Sequence, residues 1–140
     1  MTDNVYKFLN APHRKRMEIR RKEKVIEELR FSLLPRAIQY DADKVQSSPE
    51  DQLSKMMARI SELEDDIKRL KVEHSKLIIK VSNEIEKLDD DIQKIVLIEW
   101  YINKTHIQNI MKDVGCSERS VYRHKREGVK KLRQIINNWQ

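Results

Sequence analysis

Turn-forming residues are scarce: the chain has two glycines and three prolines among 140 residues. Few tight turns can be built from them, and a composition that is 37% charged and 39% apolar reads as long helices rather than one large core. The single cysteine, Cys116, excludes an intrachain disulfide and suits a reducing compartment. No apolar run approaches membrane length, and no signal-peptide apolar segment stands near Met1. A soluble protein of the cytoplasm is expected, with no membrane partner.

Catalytic and metal-binding patterns are missing as well. The four histidines, His13, His74, His106 and His124, are scattered, and Cys116 and His124 lack a second pair at zinc spacing. No glycine-rich phosphate loop occurs. The paired acids Asp65-Asp66 and Asp89-Asp90 read as a solvated face and a helix start. The expectation is a protein without cofactor or metal that is not an enzyme.

Charge is present in excess and unevenly spread. Residues 1–35 carry 9 basic and 5 acidic side chains, net +4; residues 36–90 carry 10 and 13, net −3; residues 91–140 carry 10 and 5, net +5. A basic end on a helix is an electrostatic footprint of nucleic-acid binding, and equally of a solvated helix face.

The pattern along the chain predicts an all-α protein in four parts. Residues 1–35 form a basic N-terminal helix, frayed through residue 11, opened by Pro12 and stopped by Pro35. Its apolar stripe is Ile19, Lys22, Val25 or Ile26, Leu29 and Leu33. Arg14, Lys15, Arg16, Arg20, Arg21 and Lys24 make the other face, which either meets flanking DNA phosphates or simply solubilises the helix. Residues 36–49 read as a linker, with Ser48 as the cap of the next helix.

Residues 50–88 carry a coiled-coil seam. Met56, Ile60, Leu63, Ile67, Leu70, His74, Leu77 and Val81 alternate spacings of four and three. A repeated spacing of four before Ile85, Leu88 and Ile92 is a stutter. Such a stripe needs covering. It can take the N-terminal helix of its own chain, a second chain, or both, and it is assigned to oligomerisation, with a dimer favoured. His74 at a seam position sets register or partner choice.

Residues 89–140 read as a helix-turn-helix domain. Asp89-Asp90-Asp91 suits a helix N-terminus. An apolar helix with Ile92, Ile95, Val96, Ile98 and Trp100 ends near Ile102. Thr105 or His106 caps a short helix over about 107–114 whose buried stripe is Ile107, Ile110, Met111 and Val114. Gly115 ends it in the left-handed conformation. Ser117 caps a long second helix, with Cys116 pointing into the core and Val121 holding the two helices together. Gly128 marks a kink or a close helix contact.

That second helix is where a helix-turn-helix presents side chains to the major groove of double-stranded DNA. Arg119, Arg123, Arg126 and Lys130 fall on one face. Arg119, Ser120 and Arg123 are assigned to base contacts, and Glu118 can accept from a cytosine amine. Ser117 opens the DNA-binding stretch, and Tyr122, Lys125, Arg126 and Lys130 are assigned mostly to positioning the phosphate backbone. The alternative is a basic surface helix that touches nothing.

Over these residues the chain resembles phage-encoded transcriptional regulators of the ArpU and RinA type. Their C-terminal region is similar to the promoter-reading helix-turn-helix of sigma-70 region four. The matching residues are Trp100-Tyr101-Ile102, Ile110, Gly115-Cys116-Ser117 and Arg119-Ser120-Val121-Tyr122-Arg123, with Asp43-Lys44-Val45-Gln46-Ser47-Ser48 as a motif ahead of the coil. Met111 stands where related motifs carry Ala. The resemblance covers about Asp43 to Leu132. It implies sequence-specific regulation of phage genes, often the late or packaging genes, with host RNA polymerase as a further partner. Two other readings stay open: a small terminase-like packaging subunit, and a coiled-coil interaction protein with incidental DNA affinity.

Overall fold

A computed structural model describes residues 4–38 and 49–138. The described chain is all-α: α1 (Asn4–Ile38), α2 (Pro49–Ile85), α3 (Asp91–Leu97), a π-helical turn (Ile98–Ile102), α4 (Ile107–Val114) and α5 (Glu118–Asn137). Two compact units divide it, one of Met1–Arg14 with His74–Gln140 and the other of Lys15–Glu73. The unit boundary runs through α1 and α2. The linker motif Asp43–Ser48, the expected Ser48 cap and Trp139 lie outside the described residues.

In the unit of residues 15–73, α1 and α2 run antiparallel. Lys15 pairs with Glu73 at 3.1 Å, Lys22 with Asp66 at 3.6 Å, and Arg30 with Glu64, so rising numbers on α1 meet falling numbers on α2. Exposed pairs of this kind add little energy, but they favour one register over its neighbours. Lys15 holds the Glu73 carboxyl below its ordinary range, and Glu73 holds the Lys15 ammonium above its own. The energy comes from the stripe between the helices, where Ile19 and Ile26 bury Ile60, Leu63, Ile67 and Leu70.

The seam that sequence reading assigns to oligomerisation is thus used inside the chain. Ile60, Leu63, Ile67 and Leu70 belong to this core, while Val81 belongs to the core of the other unit. Met56, His74 and Leu77 are half-buried. The fold-back of α1 covers this part of the stripe.

In the unit of residues 1–14 and 74–140, residues 4–11 are helical and not frayed. Val5 and Leu9 are buried with Val81, Ile85, Leu88, Leu97, Tyr101, Val129, Leu132 and Ile136. Pro12 does not open α1; it sits within it and is fully buried. Pro35 does not stop it either, since α1 continues to Ile38. A proline inside a helix costs about 3 kcal/mol through a lost hydrogen bond and a ring clash. Burying Val5 and Leu9, each worth about 1.5–3 kcal/mol, offsets that for Pro12 and keeps the preceding turns helical.

The apolar stretch expected as one helix to Ile102 is in two parts. Asp90 caps α3, its Oδ1 accepting from the Gln93 N–H at 3.0 Å. After Leu97 the hydrogen bonding widens, and the Asn103 N–H reaches back five residues to the Ile98 carbonyl at 3.0 Å. Next to this turn α3 passes very close to α5. A Cβ placed at Gly128 would lie 3.2 Å from Leu97 Cδ1 and 3.4 Å from Gln93 Cβ.

Three substitutions have distinct expected outcomes. Gly128→Val should lower stability by roughly 1–3 kcal/mol through crowding against Leu97. Gly128→Ala should stay near neutral, because its better helix propensity of about 1 kcal/mol offsets a smaller displacement. Leu63→Ala should cost about 2–5 kcal/mol as a cavity in the other core. Urea unfolding followed by far-UV circular dichroism measures all three.

Candidate nucleic-acid interface

A second small core carries α4 and the start of α5. Val96, Ile110 and Val121 are each fully buried, one from each of α3, α4 and α5. Ile107, Met111, Val114 and Cys116 pack around them, as the stripe predicts. The His106 side chain, not that of Thr105, caps α4, its Nδ1 accepting from the Gln108 N–H at 3.2 Å. Thr105 has another partner: its hydroxyl donates to Glu99 Oε2 at 2.6 Å. Glu99 Oε1 also accepts from Asn103 Nδ2 at 3.1 Å. One carboxylate on the π-turn thus gathers the loop that leads into α4.

The turn between α4 and α5 has the expected chemistry. Gly115 adopts φ 64° and ψ 35°, and its N–H returns to the Met111 carbonyl. A side chain in that conformation costs energy, so glycine suits the site. Ser117 then caps α5, with its Oγ accepting from the Ser120 N–H at 3.2 Å. The Ser117 hydroxyl also donates to Ser120 Oγ at 3.1 Å. Ser120, assigned to base reading by sequence, is therefore half-buried and engaged in the cap.

Val121 faces the core, so the outer face of α5 is set by elimination. Glu118, Arg119, Tyr122, Arg123, Arg126 and Lys130 are all exposed. A shallow open cleft of about 610 Å³ is lined by Ser117, Glu118, Arg119, Tyr122 and Arg126. Among the described residues, Arg119, Arg123, Arg126 and Lys130 make no ion pair or hydrogen bond with the protein. By contrast, Lys131 on the inward side bonds Asp89 at 3.1 Å and holds that carboxyl below its ordinary range.

Lys125, assigned by sequence to the phosphate backbone, is half-buried against an aromatic ring. Its Nζ sits 3.9 Å from the centroid of the Trp100 ring. Burial, and secondarily the charge of Lys104, push this ammonium below the usual lysine range. Trp100 also meets Tyr122 edge-on, centroids 5.6 Å apart and planes at 67°. Tyr101 below it is buried, which pushes its phenol up to about 12. Trp100, Tyr101 and Lys104 were not among the sequence-assigned contacts. Their signal was the Trp100-Tyr101 pair ahead of the short helix, which reads equally well as core.

The arrangement offers a row of exposed cations on a helix whose exposed acids are Glu118 and Glu127, beside the Trp100 and Tyr122 rings. Chemically it can bind an anionic polymer, neutralise it and make directional hydrogen bonds through guanidinium forks. No helix among the described residues is long and apolar enough to cross a membrane.

No curated protein and no solved structure matches the chain. Residues 36–133 match a family described as a protein of unknown function, DUF1492, and this span takes in α2, α3, α4 and most of α5. The chain belongs to the DUF1492 family.

Proposed function

We propose that this chain is a sequence-specific DNA-binding regulator of transcription that places the N-terminal half of α5 in the major groove. The observation that carries this reading is the outer face of α5. There Arg119, Arg123, Arg126 and Lys130 stand exposed, with no acid partner among the described residues. Lys15, Lys22 and Arg30 face carboxylates, whereas the exposed Arg20, Arg21 and Lys24 of α1 have no ion pair among the described residues either; what sets the α5 cations apart is their place directly after the Gly115–Ser117 turn. A protein gains nothing in folding from four unneutralised charges on one face, whereas duplex DNA supplies both phosphates and guanine edges.

The roles follow from position. Arg119 and Arg123 lie in the first two turns, the part of a recognition helix that reaches base edges. Glu118, at the very start, is placed to accept from a cytosine amine. Tyr122, Arg126 and Lys130 hold phosphates and set orientation. The target genes we propose, by the resemblance to ArpU and RinA regulators, are phage genes for late functions, with host RNA polymerase as the protein partner. A dimer suits half-sites about one DNA turn apart. Within the chain, the seam residues Ile60, Leu63, Ile67 and Leu70 pack with Ile19 and Ile26 of α1.

Capture of fragments of the encoding genome, at roughly physiological salt, tests the reading. Enrichment of one region upstream of a gene cluster is expected, lost in the double variant Arg119→Ala with Arg123→Ala. Each arginine that meets a guanine should contribute about 1–3 kcal/mol of discrimination. Both side chains are exposed, so thermal melting should be unchanged. Uniform weak retention that disappears with added salt would defeat the regulator reading and leave phosphate binding alone.

A further inference from the structure

The cationic face does not end at α5. Tyr122, which lines the cleft with Arg119 and Arg126, touches the edge of Trp100, and Trp100 lies under Lys125. Lys125 Nζ is also 5.7 Å from the centroid of Tyr101, and Lys104 Nζ is 5.9 Å from the same centroid. Two ammonium groups therefore flank one buried ring, in direct continuation of the cleft.

Neither charge is neutralised. Among the described residues neither lysine has a carboxylate partner, and Lys104 meets only Asn10 Oδ1, at 3.5 Å. The acid closest in sequence to Lys104, Glu99, has both oxygens committed to Thr105 and Asn103, and the one closest to Lys125, Glu127, meets Gln93 Nε2 at 3.5 Å. An aromatic face holds a cation in place without cancelling its charge. Burial lowers the affinity of both ammoniums for their protons, and their mutual repulsion adds to this at Lys125. An anion between them would relieve both effects.

Lys104 has a second peculiarity. Its φ is 52°, the only positive φ at a non-glycine position among the described residues. Asparagine suits that region better than lysine does. The Lys104 side chain is largely exposed and joins no buried cluster, yet its ammonium reaches Asn10 Oδ1 and the Tyr101 ring, at the rim of the aromatic platform.

We propose that Lys104 and Lys125, seated on Trp100 and Tyr101, form a clamp for a backbone phosphodiester of duplex DNA, beside the groove that α5 enters. This inference rests on the DNA-binding reading of α5 and adds to it a contact made by the loop ahead of α4. The clamp is indifferent to base sequence. It fixes how α5 is seated along the groove and leaves the choice of bases to the arginines.

The test is a salt titration of binding to a labelled duplex carrying the captured site, between roughly 50 and 200 mM salt. The variants are Lys104→Asn, Lys125→Gln and the two together. The charge-matched control is Lys76→Gln with Lys80→Gln, two exposed lysines of α2. The slope of log affinity against log salt should become shallower by about 0.9 for each clamp lysine removed. Affinity should fall about equally for specific and unrelated duplexes. The control should keep the original slope. Lys104→Asn carries the test if Lys125→Gln disturbs α5, because it changes one exposed side chain and suits the backbone; circular dichroism melts verify both folds. An unchanged slope in Lys104→Asn overturns the clamp. If the unaltered chain binds no duplex at low salt, the reading of α5 falls and takes the clamp with it. If Arg119→Ala with Arg123→Ala abolishes site preference while the lysine variants keep the slope, the clamp alone falls.

Discussion

The close approach of α3 and α5 at Gly128 is the contact on which this part of the molecule depends. With a side chain at that position Leu97 would have to shift, since its Cδ1 lies 3.2 Å from where the Cβ would be. Because the two helices meet there, α5 serves two cores at once. Val129, Leu132 and Ile136 join the core built with Val5, Leu9, Val81 and Ile85, while Val121 joins Val96 and Ile110. Packing at both ends of its inner face sets which side of α5 turns outward. Its arginines then point outward as a consequence of packing, with no need for partners of their own.

The same logic explains the loop before α4. The π-turn at Ile98–Ile102 adds one residue to the ring of each hydrogen bond and so rotates the chain that leaves it. Trp100 can then pack partly against both cores, and Glu99 faces Thr105 and Asn103. The short helix α4 has only eight residues and little stability of its own. It stays in place because Ile110 is buried, His106 and Gly115 close its two ends, and Glu99 ties down its approach.

Much of this was legible from residue types. Gly115 and Ser117 mark the turn because only a few residues satisfy a left-handed C-terminal position or an N-cap, and the apolar spacing of Ile107, Ile110, Met111 and Val114 allows one inward face. Asp90 was readable for the same reason. The illegible features involve competition between local and distant effects. Pro12 and Pro35 are strong local signals for helix ends, yet α1 runs through both. Around Pro12, the burial of Val5 and Leu9 depends on residues more than seventy positions away. The seam of α2 shows that a stripe must be covered and says nothing of which helix covers it; the facing pairs Lys15–Glu73 and Lys22–Asp66 are recognisable only once antiparallel order is known. Lys125 is the clearest case at the site. In sequence it is one more cation of a basic helix, and only the folded chain sets it against Trp100.

The split between the two faces of α5 has a consequence for how such a protein can change over generations. Arg119, Arg123, Arg126 and Lys130 project from a helix whose anchoring residues are all on the other side. Exchanging them disturbs no core, removes no cap and breaks no ion pair found among the described residues. New preferences can therefore be sampled one side chain at a time without passing through unfolded intermediates, while a branched side chain at Gly128 is felt at once by the neighbouring helix.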